Sequence, residues 1–204
     1  MNYHYLMRPC ITNAIGKDVL TRILKVNVEN FIDFSEVEKW FDIPKDLMAL
    51  PDVDQTLDIS TNPDFDIIAL YVNPYVRVFS YYLTVAGFQS SATVNEIKLE
   101  ISQEEFTNFV FDGLTKGKAP NMNAPLSSLY QETDTLKIRY KIRYENILED
   151  IKTIPGLEGV NLHTLKECVA IANIYTEYYT DETKKEVESM YKDDFEAYGY
   201  TFGQ

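Results

Sequence analysis

The chain is short of cations. Its 19 Lys and Arg face 32 Asp and Glu, a formal net charge of −13. Nucleic-acid binding draws most of its affinity from neutralised phosphates, so no nucleic-acid partner is expected. A basic patch for anionic membranes is excluded on the same ground. A polyanionic cofactor requires a local cluster of cations that overrides the global field. Cysteine is nearly absent: Cys10 and Cys168 make no disulfide framework, which points to the cytoplasm or another reducing compartment. No uninterrupted apolar run is long enough to span a bilayer, and Met1 to Tyr5 lacks the basic and apolar regions of a secretory signal. No membrane association and no metal are expected. Internal repeats and low-complexity segments are lacking too.

Apolar residues are plentiful, at 45%, and aromatics reach 13% with 15 Tyr and 11 Phe. That is too hydrophobic for a disordered chain, and 204 residues suffice for one domain, 1–204, with a real core. Tyr175, Tyr178, Tyr179, Tyr191, Tyr198 and Tyr200 read as core and interface material, each burying a large ring behind one polar tip.

The pattern predicts strands alternating with helices. Tyr5 to Met7 reads as a first strand and Asn13 to Lys25 as a helix with Ile15, Val19, Ile23 and Leu24 on one side. Ser35 and Glu38 form a capping box, Pro44 and Pro51 bracket a turn-rich stretch, and Asp66 to Tyr71 is a buried strand. Ser102 and Glu105 start a further helix that ends near Gly113. Gly117 to Ser128 is rich in Pro, Asn and Ala and reads as a loop. From Thr135 to Tyr144, Leu136, Ile138, Tyr140, Ile142 and Tyr144 share one face of a strand. Lys137, Arg139, Lys141 and Arg143 share the other. That basic stripe suits either an acidic sugar or a protected sheet edge. Asn146 to Ile151 begins a helix, and Thr180 caps a last one carrying Val187, Met190, Tyr191 and Phe195 inward. The alternation argues for an α/β layer structure.

The junction after the Asp66–Tyr71 strand carries the most chemistry. Asn73 is a good N-cap and Pro74 suits the first helical position. A strand, a sharp turn and a helix N-terminus make an anion site, because free N–H groups and the helix dipole both favour negative charge. Arg77 and Ser80 lie one turn apart on that helix, within reach of one oxyanion or, for Arg77, of a carboxylate on a neighbouring element. His4 and His163 show no orienting partner and are not assigned as bases.

Three blocks resemble the sulfotransferases, particularly the carbohydrate-type branch. Asn73-Pro74-Tyr75-Val76-Arg77-Val78-Phe79-Ser80-Tyr81-Tyr82 is similar to the family's 3′-phosphate motif. Arg143-Tyr144-Glu145-Asn146-Ile147-Leu148-Glu149-Asp150 is similar to its later strand-to-helix junction. Tyr178 to Tyr200 is similar to its closing helix, ending in Asp194-Phe195-Glu196-Ala197-Tyr198-Gly199-Tyr200. The blocks and their spacing cover residues 66 to 202.

The resemblance implies an α/β fold of the P-loop-kinase-like, three-layer kind, with a small parallel sheet flanked by helices and reduced in size. It implies transfer of a sulfuryl group from 3′-phosphoadenosine-5′-phosphosulfate to a hydroxyl, that of a carbohydrate acceptor. Such chemistry needs prepositioned cations, N–H donors and a base. Asn73, Arg77 and Ser80 would hold the 3′-phosphate. Arg8, Thr12 and Lys17 are the candidates for the 5′ side, against an ordinary helix start with solvated charges. No catalytic base is identified.

The chain departs from the family where cations matter. Val72 stands in place of the motif's first Arg, and Cys10 where the 5′ loop's Lys is expected. Two functions follow. One is a working sulfotransferase with a minimal cofactor site. The other is an inactive protein of that fold serving as a structural or assembly subunit among protein partners, for example in a virion.

Overall fold

The computed structural model describes residues 4–7, 31–33, 65–88, 92–114, 122, 125–129 and 138–204. They form an α/β structure around a parallel sheet of four strands: β1 (His4–Met7), β2 (Phe31–Asp33), β3 (Phe65–Tyr71) and β4 (Ile138–Arg143). The order is β2-β1-β3-β4, with every neighbouring pair parallel. Parallel strands buried on both faces read as continuous apolar runs. Ile67-Ile68-Ala69-Leu70-Tyr71 in β3 is such a run, and Ala69, Leu70 and Tyr71 are buried. β4 pairs with β3 alone among the described strands, and it alternates. Ile142 is buried while Arg139, Lys141 and Arg143 are exposed, the two-faced pattern of an outer strand.

β3 runs straight into α1 (Pro74–Val85). Asn73 caps it, its side-chain oxygen accepting the Tyr75 N–H at 3.1 Å, and Pro74 opens it. Nearly every side of α1 is buried, including Tyr75, Val76, Val78, Phe79, Tyr82 and Leu83. A helix covered all round is a core element, not a surface one. α2 (Val94–Glu100) and α3 (Gln103–Asn108) follow, capped by Thr93 with Glu96 and by Ser102 with Glu105. α3 widens into a π-helical turn over Phe109–Leu114.

Two sequence expectations need correction. The Gly117–Ser128 loop contains a helical turn at its end, α4 (Leu126–Leu129). Its first N–H groups, of Leu126 and Ser127, are received at 2.8 and 2.7 Å by the carboxylate of Asp194. The last helix is broken. α7 (Asp181–Met190) and α8 (Lys192–Tyr198) meet at Tyr191, whose φ of −113° and ψ of 29° leave the helical region. The buried Tyr191 hydroxyl donates to the carbonyl of Met122, which holds the break in place. Between β4 and α7 lie α5 (Ile147–Asp150), entered through a 3₁₀ turn at Tyr144–Asn146, and α6 (His163–Asn173). The expected helix over Asn13–Lys25, the Ser35–Glu38 box and the Pro44–Pro51 turn lie outside the described residues.

The core around α1 is largely aromatic. Tyr75 meets Tyr179, Phe195 and Phe202 at centroid separations of 5.2, 5.1 and 5.0 Å. Phe79 meets Phe106 at 5.6 Å and Tyr178 at 5.0 Å. Tilted, edge-on and stacked pairs of this kind contribute roughly 0.5–1.5 kcal/mol each beyond the area they bury. They bring the C-terminal helices onto α1. α8 ends at Gly199, whose φ of 67° is left-handed and favours glycine there.

Candidate functional site

The mouth of α1 lies at the carboxyl end of β3, where the sequence places an anion. In the order β2-β1-β3-β4 all strands are parallel, but β2 is added on one side of the β1/β3 boundary and β4 on the other. The carboxyl ends at such a switch point form the crevice in which open α/β sheets bind ligands. Of the residues expected there, Asn73, Arg77 and Ser80 are described. Arg8, Thr12 and Lys17 lie outside the described residues.

Asn73 is fully buried and ties three segments together. Its backbone N–H donates to Glu145 Oε1 at 2.6 Å. Its side-chain amide donates to the Thr201 carbonyl at 2.9 Å, while its side-chain oxygen caps Tyr75. A carboxylate of the chain itself therefore receives an N–H at the mouth of α1. Glu145 reaches it from the β4–α5 junction, in the segment that the sequence singles out for other reasons. Burial pushes the Glu145 carboxyl up, more strongly than the Asn73 hydrogen bond and the Arg143 charge pull it down.

Arg77 is buried and points at a second carboxylate. Its guanidinium lies 4.0 Å from Asp194 Oδ2 and over the Tyr191 ring at 5.4 Å. Asp194 is itself fully buried and accepts the two N–H groups of α4. The charge of Arg77 is thus spent on a cap and an aromatic face. Ser80 is buried one turn on, and its Oγ has no hydrogen-bond partner among the described residues. Glu145 Oε2 and the Tyr200 hydroxyl are likewise buried without one. Val72, at the position of the motif's first Arg, is 1% exposed and belongs to the core.

Sequence reasoning did not foresee Glu145 or Asp194 as the partners of this junction. Both lie in the segments that resemble the sulfotransferases, but a carboxylate 72 positions from its N–H partner leaves no local signal. Among the described residues no group of three or more His, Cys, Asp and Glu side chains converges as a metal site, and no helix is long and apolar enough to cross a membrane. His163 is exposed, with Nδ1 3.7 Å from Glu167. Compared with protein-family models, with curated proteins and with solved structures, the chain matches none.

A separate cleft of about 420 Å³ opens beside β4. Tyr71, Lys141, Arg143, Asn146, Asp150, Ala197 and Tyr198 line it. It shares no lining residue with Asn73, Arg77 or Ser80.

Proposed function

We propose that this chain is a sulfotransferase-like domain without transferase activity, which acts as a structural or assembly subunit bound to protein partners, with a virion as one such setting. On this reading the parallel sheet is the reduced core of a P-loop-kinase-like, three-layer fold. The order β2-β1-β3-β4 supports that arrangement, since it puts the β3–α1 turn at the switch point.

One observation carries the functional part: the donors that would meet a 3′-phosphate face carboxylates of the chain. Glu145 takes the Asn73 N–H at 2.6 Å, and Arg77 faces Asp194 at 4.0 Å. A phosphate entering there competes with two carboxyl groups of the chain for those donors. Like charges at such range repel strongly in a buried site. The overall charge of −13 adds to the repulsion.

The transferase reading keeps one observation in its favour. Ser80 Oγ is buried, without a hydrogen-bond partner among the described residues, and one turn from Arg77, as a retained phosphate ligand would be. On that reading 3′-phosphoadenosine-5′-phosphosulfate is the donor and a carbohydrate hydroxyl the acceptor. Incubation with radiolabelled donor and a panel of carbohydrate acceptors separates the two. The assembly reading expects no labelled product and co-purification with a protein partner over a large interface. Turnover abolished by Ser80→Ala, from a protein that stays monomeric and partnerless, would restore the enzyme.

A further inference from the structure

We infer that residues 201–204 form a strap that opens and closes over the mouth of α1, with Phe202 as its latch and the Asn73 carboxamide as the group it covers. The inference goes beyond the reading above, because such a strap gates the mouth of a working enzyme and of an inactive subunit alike.

The strap starts from a fixed root. Gly199, with φ of 67°, ends α8, and Tyr200 is buried with the Arg143 guanidinium over its ring at 5.4 Å. The chain then passes the first turn of α1. The Thr201 carbonyl accepts the Asn73 side-chain N–H at 2.9 Å. Phe202 sits as a knob among Tyr75, Tyr175 and Tyr179, at centroid separations of 5.0, 5.4 and 5.7 Å. Lys184 Nζ lies over the same ring at 4.3 Å, in range of a cation–π attraction. The Gly203 N–H donates to the Tyr175 hydroxyl at 2.7 Å, and that hydroxyl donates to the Gln204 carbonyl at 3.3 Å. Gln204 Oε1 accepts the Thr201 N–H at 3.0 Å, so the turn closes on itself. It passes through Gly203 at φ of 88°, a left-handed value that glycine supplies without strain.

Three features separate the strap from the core beneath it. Residues 201–204 belong to no helix or strand, so opening breaks no ladder of backbone hydrogen bonds. Thr201, Gly203 and Gln204 are exposed and Phe202 is only half-buried, whereas Tyr200 just before them is buried. A segment with so little buried apolar surface opens locally, well below the cost of unfolding the whole. The polar groups that opening releases, the Asn73 carboxamide and the Tyr175 hydroxyl, are ones that water can satisfy. The closed strap keeps the Asn73 donor inside the protein, and the open strap returns it to solvent. Phe202 decides between the two states, because its ring makes the aromatic contacts of the segment and carries the Lys184 contact.

Amide hydrogen exchange of the full chain, read by NMR, tests this on the unaltered protein. The Gly203 N–H should be protected, yet exchange at least about tenfold faster than the α1 amides of Val78 and Leu83, through an opening that low urea does not accelerate. Phe202→Ala should abolish the Gly203 protection and shift the Asn73 side-chain amide resonances, while the α1 amides stay protected. Lys184→Ala removes only the cation over the ring and should speed Gly203 exchange by about two- to fivefold. Exchange of Gly203 at the rate of the α1 amides would make the segment fixed core and overturn the inference. A Gly203 N–H with no protection would overturn it from the other side, since the strap would then not close. So would a Gly203 rate unmoved by either substitution, or Asn73 resonances that ignore Phe202→Ala.

Discussion

Glu145 reaches across the end of the sheet to accept the backbone N–H of Asn73 at 2.6 Å. It thereby joins the β4–α5 junction to the first turn of the central helix. The contact closes the helix mouth with a carboxyl group of the chain's own, which burial pushes up. That combination makes the junction both a structural tie and a pH-sensitive one.

Glu145→Ala leaves the Asn73 N–H without its acceptor and should cost about 1–3 kcal/mol of stability. Glu145→Gln keeps an acceptor oxygen and removes the titration. A carboxyl raised in the folded state binds its proton more tightly there than in the unfolded chain. Its stabilising contribution is complete below the ordinary value of 4.5 and is lost as pH rises through the raised folded value. Urea unfolding of both proteins from about pH 4 to about pH 8 should show Glu145→Gln gaining on wild type as pH rises through that window. Parallel curves would mean that Glu145 does not titrate in this way.

Asp194 should be the most sensitive carboxylate of the fold. It is fully buried, caps α4 through two N–H groups and faces Arg77. Asp194→Ala removes the carboxylate that faces a buried guanidinium and caps α4, and should cost about 3–5 kcal/mol. Adding Arg77→Leu should recover part of that loss, since the buried charge that Asp194 faces goes with it. Chemical denaturation of the single and double variants decides this. A double variant weaker than both singles combined would refute the pairing.

Thr180→Ala should cost about 1 kcal/mol, because the hydroxyl accepts the Thr183 N–H at the start of α7. The melting temperature should fall by a few degrees, with the near-ultraviolet signal of the aromatic core unchanged below the transition. An unchanged melting temperature would show that tertiary packing alone holds that end of the helix.

Much of this scaffold was legible locally. Asn73 and Pro74 mark the start of α1, and Ser102 with Glu105 and Thr180 mark α3 and α7, because caps are made by neighbours in sequence. The alternation of Ile138, Tyr140 and Ile142 with Arg139, Lys141 and Arg143 gives β4 its two faces. What escaped depends on distant partners. α4 forms where Asp194 receives its N–H groups, and the break at Tyr191 is held by the Met122 carbonyl. Val187, Met190, Tyr191 and Phe195 keep helical spacing straight through that break, so periodicity alone reads one helix. The Thr93–Glu96 capping box of α2 carries the same local signal as Ser102–Glu105. At the site, the strand, the turn and the Asn73 cap were readable, but not the carboxylates that face them. Val72 shows why restoring the missing Arg is a poor test: at 1% exposure, Val72→Arg buries a charge in the core before it can meet a ligand.

The most direct test is a thermal-melt titration of the whole chain with 3′-phosphoadenosine-5′-phosphate. With Glu145 and Asp194 facing the donors of the α1 mouth, the melting temperature should not move at any concentration of the nucleotide. A saturable rise, worth about 2.7 kcal/mol at a hundredfold excess over the dissociation constant and lost in Ser80→Ala, would contradict the closed mouth and return the chain to the enzymes.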